Sequence, residues 1–242
     1  MQKLILLFIT CLWIGSPLRG QVAETGTNPN NTVGTPWALD HAPTVYSPQL
    51  YNGPRHHIYD RRAKDHQFFL TEEWQQGAVH YDGQLFENIP LMYDIVKGVL
   101  VVRHMERSGL VQLQSERVSS FSLLKNRFVK IKEDRAKGIT INTGFYHILY
   151  EGKTQVLARR IKDRQEQIEN NRVNVYFPEK NFFYIKKDGV YHIIRSKKAA
   201  LDLFSDQKSA LRRYLRENKI KYRKTRELAL VQMATQYDKL RP

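Results

Sequence analysis

Residues 74–89 read WQQGAVHYDGQLFENI, and this stretch decides the fold. Asp82-Gly83 is a hairpin pair, because a tight two-residue loop needs positive φ and Gly adopts it at no steric cost. Val79 and Tyr81 before the pair, and Leu85 and Ile89 after it, stand at strand-compatible spacing. The signature returns at Lys97-Gly98, Ser108-Gly109, Glu151-Gly152 and Asp188-Gly189, each between runs of β-branched and aromatic residues. Val99–Val102 is a continuous apolar run, as expected of a central strand buried on both faces. Val111, Leu113 and Ser115 alternate with Gln112 and Gln114, and further strands are read at Phe128–Ile131, Phe145–Tyr150, Tyr184–Lys187 and Val190–Ile194. The spacing predicts an antiparallel meander of about eight to ten strands, an open barrel or a sandwich. Residues 156–171 are more charged and are read as a short helix or an extended arm. A short strand is read at Val45–Leu50.

From Ser196 the period changes to that of helices. Ser196 caps a short helix through Phe204, Ser205 or Asp206 caps a second, and Asn218 stops it. Leu211, Tyr214 and Leu215 share one face of that second helix. Thr225 caps a last helix in which Leu230, Met233, Ala234, Tyr237 and Leu240 share a face. The expected class is therefore α+β, mainly β: an antiparallel β domain over residues 37–195, then a basic helical tail over 196–242 packed on it.

The 242 residues carry 39 Lys and Arg against 24 Asp and Glu, a formal charge of +15, with 41% hydrophobic residues. That composition excludes a mostly disordered chain, a collagen and a polytopic membrane protein. Lys3 precedes an unbroken apolar run, Leu4–Ile14, which Gly15, Ser16 and Pro17 interrupt ahead of Gln21. This is the pattern of an export signal over residues 1–20. As a helix the run rises about 16 Å, too short for a bilayer core of roughly 30 Å. Residues 21–36, rich in Thr, Asn, Gly and Pro, read as a flexible leader. The single cysteine, Cys11, lies within the signal, so the expected mature chain has no thiol nucleophile and no disulfide. An exported chain without disulfides fits a bacterial periplasm or secretion. The even spread of charge argues against a lipid-facing barrel, so no transmembrane part is expected once the signal is removed.

The stretch Trp74–Gly83, continuing through Phe86–Asp94, resembles exported proteins of the Bacteroidota, as does Tyr184–Tyr191 with the basic tail ending Gln236-Tyr237-Asp238-Lys239-Leu240. The likeness covers most of residues 50–240. It implies an envelope compartment and a hairpin-rich architecture, and it brings no catalytic residue with it.

Candidate chemistry is sparse. His56, His57, Asp60, Asp65 and His66 form the densest cluster of metal-ligand types, against the alternative of a polar loop with hydrogen-bonded histidines. Adjacent His56 and His57 would point apart in a strand. Glu72 with Glu73, and Glu87 with Asp94, are carboxylate pairs for acid–base work, against a solvated turn. Tyr93-Asp94 reads as a strand end whose Asp caps the turn. No nucleophile elbow, phosphate loop or dinucleotide fingerprint occurs, and no cofactor is expected. Residues 186–242 hold 16 Lys and Arg against 6 Asp and Glu. Lys197, Lys198, Arg212, Arg213, Lys219, Lys221, Arg223 and Lys224 are its candidate residues for an anionic surface. Envelope lipid or polysaccharide is the expected polyanion, or another envelope protein the partner, rather than nucleic acid; the alternative is a solvated face. The expected function is a non-catalytic exported envelope protein, a binding or scaffolding module. The alternatives are a carrier of an apolar ligand in an open β-barrel, and a hydrolase with its site near residues 50–74.

Overall fold

Two-residue turns with both φ positive twist in the same sense as the strands they join, and they organise this molecule. A computed structural model describes residues 48–58, 60, 63–104, 109–133 and 141–241, which fall in one compact unit. The signal, Cys11, the leader, residues 37–47 and Ser108 lie outside the described residues. Asp82-Gly83 (φ 51° and 82°) joins β1 (Gln75–Tyr81) to β2 (Gln84–Asp94), and Asp188-Gly189 (φ 49° and 83°) joins β11 (Glu179–Lys187) to β12 (Val190–Ile194). Leu124-Lys125 and Asn170-Asn171 make the same turn without glycine. They close β5 (Val118–Leu123) on β6 (Asn126–Ile131) and β9 (Gln165–Glu169) on β10 (Arg172–Tyr176). Residues 156–171 are therefore strand and hairpin, not a helix.

With β3 (Val99–Arg103), β4 (Leu110–Gln112), β7 (Gly144–Glu151) and β8 (Gln155–Lys162), ten strands form one antiparallel sheet. Their order is β12-β11-β8-β7-β6-β5-β1-β2-β3-β4, and β9-β10 is a separate hairpin. Val99–Val102 is buried throughout, but as the penultimate strand rather than a central one. Residues 48–51 form a 3₁₀ turn instead of the expected strand, and its Leu50 is buried in the core.

The sheet curls. Register shifts between Gly77 and Val79, between His80 and Tyr81, and between Ile148 and Tyr150 mark bulges, which bend strands and add twist. In a flat sheet β2 and β7 would lie four spacings, roughly 19 Å, apart. Instead the rings of Tyr93 on β2 and Phe145 on β7 are 6.0 Å apart, centroid to centroid. Phe121 and Phe128 stack at 4.6 Å and meet Tyr93 edge-on, so aromatic rings fill the inner face. The Lys162 amide at the end of β8 donates to the Ile95 carbonyl just past β2 (3.1 Å). The sheet is nonetheless not closed: β4 and β12 are its outer strands.

The inner face of the β8-β11-β12 half is covered by α1 (Lys197–Leu203), α2 (Lys208–Glu217) and α3 (Arg226–Leu240). Ser196 caps α1, its hydroxyl accepting from the Ala199 amide. The other expected caps differ. Gln207, not Ser205 or Asp206, precedes α2, and the Thr225 hydroxyl donates back to the Lys221 carbonyl instead of capping α3. Leu211, Leu215, Leu230, Met233, Ala234 and Tyr237 are buried, while Tyr214 is half-buried and Leu240 exposed. Asp238 stitches α3 to the β7–β8 turn by accepting from the Tyr150 hydroxyl (3.0 Å) and the Thr154 amide (2.9 Å). Gly152, in that turn, is needed for close approach rather than for positive φ. A Cβ there would lie 2.5 Å from Asp238 Oδ2 and would also collide with the Tyr150 hydroxyl. Gly152→Ala is expected to break this stitch and cost about 1–3 kcal/mol, read as a lower denaturant midpoint.

Candidate functional site

The chain ahead of β1 builds a buried polar knot with the end of β2. Residues 54–56 extend the sheet beyond β4. Arg55 pairs with Val111, the His56 amide donates to the Leu110 carbonyl (2.8 Å), and the Gln112 amide donates to the Pro54 carbonyl (2.9 Å). Residues 67–69 then run beside the end of β2: the Phe69 amide donates to Tyr93 (2.8 Å) and the Ile95 amide to Gln67 (3.1 Å). These two passes bring His56 and Gln67 onto Asp94.

Asp94 is fully buried, and both carboxylate oxygens are engaged. Oδ1 accepts from the amides of Val96 (2.9 Å) and Lys97 (3.0 Å), the turn cap expected from Tyr93-Asp94. Oδ2 accepts from the Gln67 side-chain amide (2.5 Å) and lies 3.3 Å from His56 Nε2. His56 Nδ1 is buried without a partner. Beside this knot, Lys162 donates to the carbonyls of His66 (2.5 Å) and Phe68 (3.0 Å), and burial holds its pKa below the usual lysine range. A carboxylate this enclosed braces the loop; it has no face open to a substrate.

Above the knot lies a cleft of about 460 Å³. Strand register sets Arg103 opposite Leu110, and Leu110 beside His56, so the three stand abreast across β3, β4 and the added segment. Arg55, His57, Ile58 and Trp74 complete the walls. Arg55, Arg103 and His57 are exposed. Gly53 makes this arrangement possible: a Cβ there would collide with the Gln112 carbonyl oxygen, which is backbone and cannot yield. Gly53→Ala is expected to lift residues 54–56 off β4.

The five candidate metal ligands are not gathered at one point. His56 is buried against Asp94, and His57 turns outward into the cleft, the opposed orientation expected of strand neighbours. Asp60 receives Arg164 (3.4 Å), Asp65 accepts from the Phe177 amide (2.6 Å), and His66 Nδ1 accepts from the Phe68 amide (3.2 Å). Among the described residues no three His, Cys, Asp or Glu side chains converge as a metal ion would need. Glu72, Glu73 and Glu87 are exposed, whereas Asp94 is fully buried, so neither carboxylate pair faces across a common cleft. Sequence reasoning missed Gln67 and Lys162 entirely, since neither residue type nor spacing marks them.

The tail candidates are placed uniformly. Lys197, Lys198, Arg212, Arg213, Lys219, Lys221, Arg223 and Lys224 are all exposed. The tail's ion pairs use other residues: Lys208 with Asp202, Lys187 with Asp206, Arg160 with Glu227 and Arg241 with Asp188. The Asp202 carboxyl is held below its usual range by the Lys208 hydrogen bond, with Lys198 and Arg212 adding to the effect. No helix among the described residues is long and apolar enough to cross a membrane.

One further buried group gives the molecule a pH limit. His147 packs on Phe128 (4.9 Å between ring centroids), and its Nδ1 accepts from Arg160 (3.1 Å). Burial, then the Arg160 charge, lowers its pKa from 6.5 to about 4. The folded state therefore keeps His147 neutral while the unfolded chain takes up a proton below pH ~6.5. Stability should fall between pH ~6.5 and pH ~4, by up to about 3 kcal/mol from this group. In His147→Gln, whatever its stability at pH 7, urea midpoints measured across that window should decline less steeply than in the parent.

Comparison with protein-family models, with curated proteins and with solved structures finds no match for this chain.

Proposed function

We propose that this protein is a non-catalytic exported module of the cell envelope that holds its basic helical tail against an anionic envelope surface, lipid or polysaccharide. The observation that carries this reading is the division of the tail into two sides. Its apolar side chains are docked on the sheet, while eight cations stand exposed and, among the described residues, outside every ion pair. Exposed cations of one sign attract anionic surfaces at about 1 kcal/mol each near the headgroups. The filled aromatic interior supports a binding or scaffolding module over a carrier of apolar ligands. The full engagement of Asp94 likewise gives no support to hydrolysis near residues 50–74.

Co-sedimentation with phosphatidylglycerol and with phosphatidylcholine vesicles tests the reading. Binding is expected to the anionic vesicles alone. It should weaken as salt rises from about 0.1 M to about 1 M, which shortens the screening length from about 10 Å to about 3 Å. Gln at Arg212, Arg213, Lys219 and Lys221 together should reduce binding at least tenfold, by roughly 4 kcal/mol at most for four charges, with the melting temperature nearly unchanged. Equal binding by parent and variant would overturn the surface reading. The export part is checked separately, by mass spectrometry of protein from the envelope or medium, where an N-terminus near Gln21 is expected.

A further inference from the structure

We infer that the cleft between residues 55–58 and the β3–β4 edge is a second binding site, independent of the tail, for a small organic oxyanion: a carboxylate or phosphate on an apolar body. Its volume of about 460 Å³ falls within the range of small-molecule sites. Its polar lining is cationic or imidazole, from Arg55, Arg103, His56 and His57, and among the described residues no Asp or Glu lines it. Arg55 and Arg103 are exposed, and among the described residues neither makes an ion pair. Guanidinium is planar, permanently charged and suited to two parallel hydrogen bonds with a carboxylate or phosphate. The apolar part of the wall is equally specific. Trp74 is half-buried against Phe68, Met92, Val99 and Val101, so its ring is held by the outer-face core rather than loose. Ile58 is 44% exposed beside it, an apolar surface left open to a ligand.

The cleft is also built, not incidental. Arg55 and His56 are fixed by the backbone pairing to β4, and Arg103 by the β3–β4 register. His56 is clamped from beneath by Asp94 and Gln67 (3.3 and 3.2 Å), and its Nδ1 remains a buried polar atom without a partner. Such an orphan is uncommon in a well-packed interior and is explained where a ligand or water completes it. A bound oxyanion would meet the positive charge that Arg55 and Arg103 bring to the cleft, while Trp74 and Ile58 cover the apolar body.

Isothermal titration of the full chain with phenyl phosphate, benzoate, inorganic phosphate and benzyl alcohol tests this. Saturable binding of one phenyl phosphate or one benzoate per chain is expected, the preferred one identifying the head group. Inorganic phosphate, lacking the apolar body, should bind at least tenfold more weakly, and benzyl alcohol, lacking the charge, should not saturate. Arg55→Gln and Arg103→Gln should each weaken binding about tenfold; both are exposed, and unchanged melting would show that the fold is kept. The tail variant with Gln at Arg212, Arg213, Lys219 and Lys221 should bind phenyl phosphate and benzoate as the parent does, which separates this site from the surface reading. Three results would each overturn the inference: no saturation with either aromatic anion, unchanged affinity in the Arg55→Gln, Arg103→Gln double variant, or equal loss of affinity in the tail variant.

Discussion

Asp94→Ala is expected to lower the melting temperature by roughly 6–20 °C. The carboxylate accepts from Val96, Lys97 and Gln67 and faces His56 at 3.3 Å, with no exposure to water. Removing it does not return the Gln67 and His56 side chains to solvent. It takes the acceptor from the part-buried Val96 and Lys97 amides and from the buried Gln67 and His56 side chains; such a loss costs about 1–3 kcal/mol per buried group, and about 3–5 kcal/mol is usual when one partner of a buried polar or charged pair is lost. For a chain of this size each kcal/mol shifts melting by about 2–4 °C. Asp94→Asn should fall between parent and Ala, because its carbonyl oxygen still accepts from Val96 and Lys97 while its amide faces Gln67 and His56 with the wrong polarity. Thermal unfolding followed by circular dichroism separates the three. A shift under about 2 °C for Asp94→Ala would show that the knot contributes nothing to the fold. The same variant should open the cleft, since Asp94 is what holds His56 beneath it.

That knot also marks the limit of the sequence as a guide. Strands were legible wherever glycine or a period-2 pattern announced them, and the ten-strand antiparallel sheet with its helical tail follows from those signals. Leu124-Lys125 turns without glycine because the strands on either side, Phe121 against Phe128 and Leu123 against Asn126, fix the register and force positive φ on both residues. Tertiary pairing there overrides local preference. The Asp94 cap was legible for the same reason in reverse: its amide partners are two and three residues away. His56 and Gln67 are 38 and 27 residues from Asp94, and Lys162 is 94 residues from Phe68, so no local pattern could join them. The metal-ligand grouping failed on this point. Proximity in sequence put five residues together, while the chain passes separately along β4, β2 and the β9–β10 base and delivers them to different partners.

Deleting residues 197–242 is expected to leave an aggregating, unfolded or partly folded protein, because the tail is the second half of a core rather than an appendage. Val156, Ala158, Phe183, Ile185 and Ile194 on the sheet pack against Leu201, Phe204, Leu211, Leu215, Leu230, Met233 and Tyr237 of the helices. Full burial of large apolar side chains is worth about 1.5–3 kcal/mol each, so uncovering even Val156, Phe183, Ile185 and Ile194 removes an amount comparable with the whole stability of a domain. Polar losses add to this. Arg160, 9% exposed, would lose Glu227, and Lys187 would lose the Leu203 carbonyl and the Phe204 and Tyr237 rings above which it sits. Because a truncated chain that fails to fold says little alone, Leu230→Ala carries the quantitative test. Leu230 is fully buried, and the substitution should cost about 2–5 kcal/mol in urea unfolding, without altering the charge of the tail. Leu240→Ala, at the same helix face but 37% exposed, should cost well under half as much. Equal effects at the two positions would mean that α3 is not docked through the side chains that the sheet presents to it.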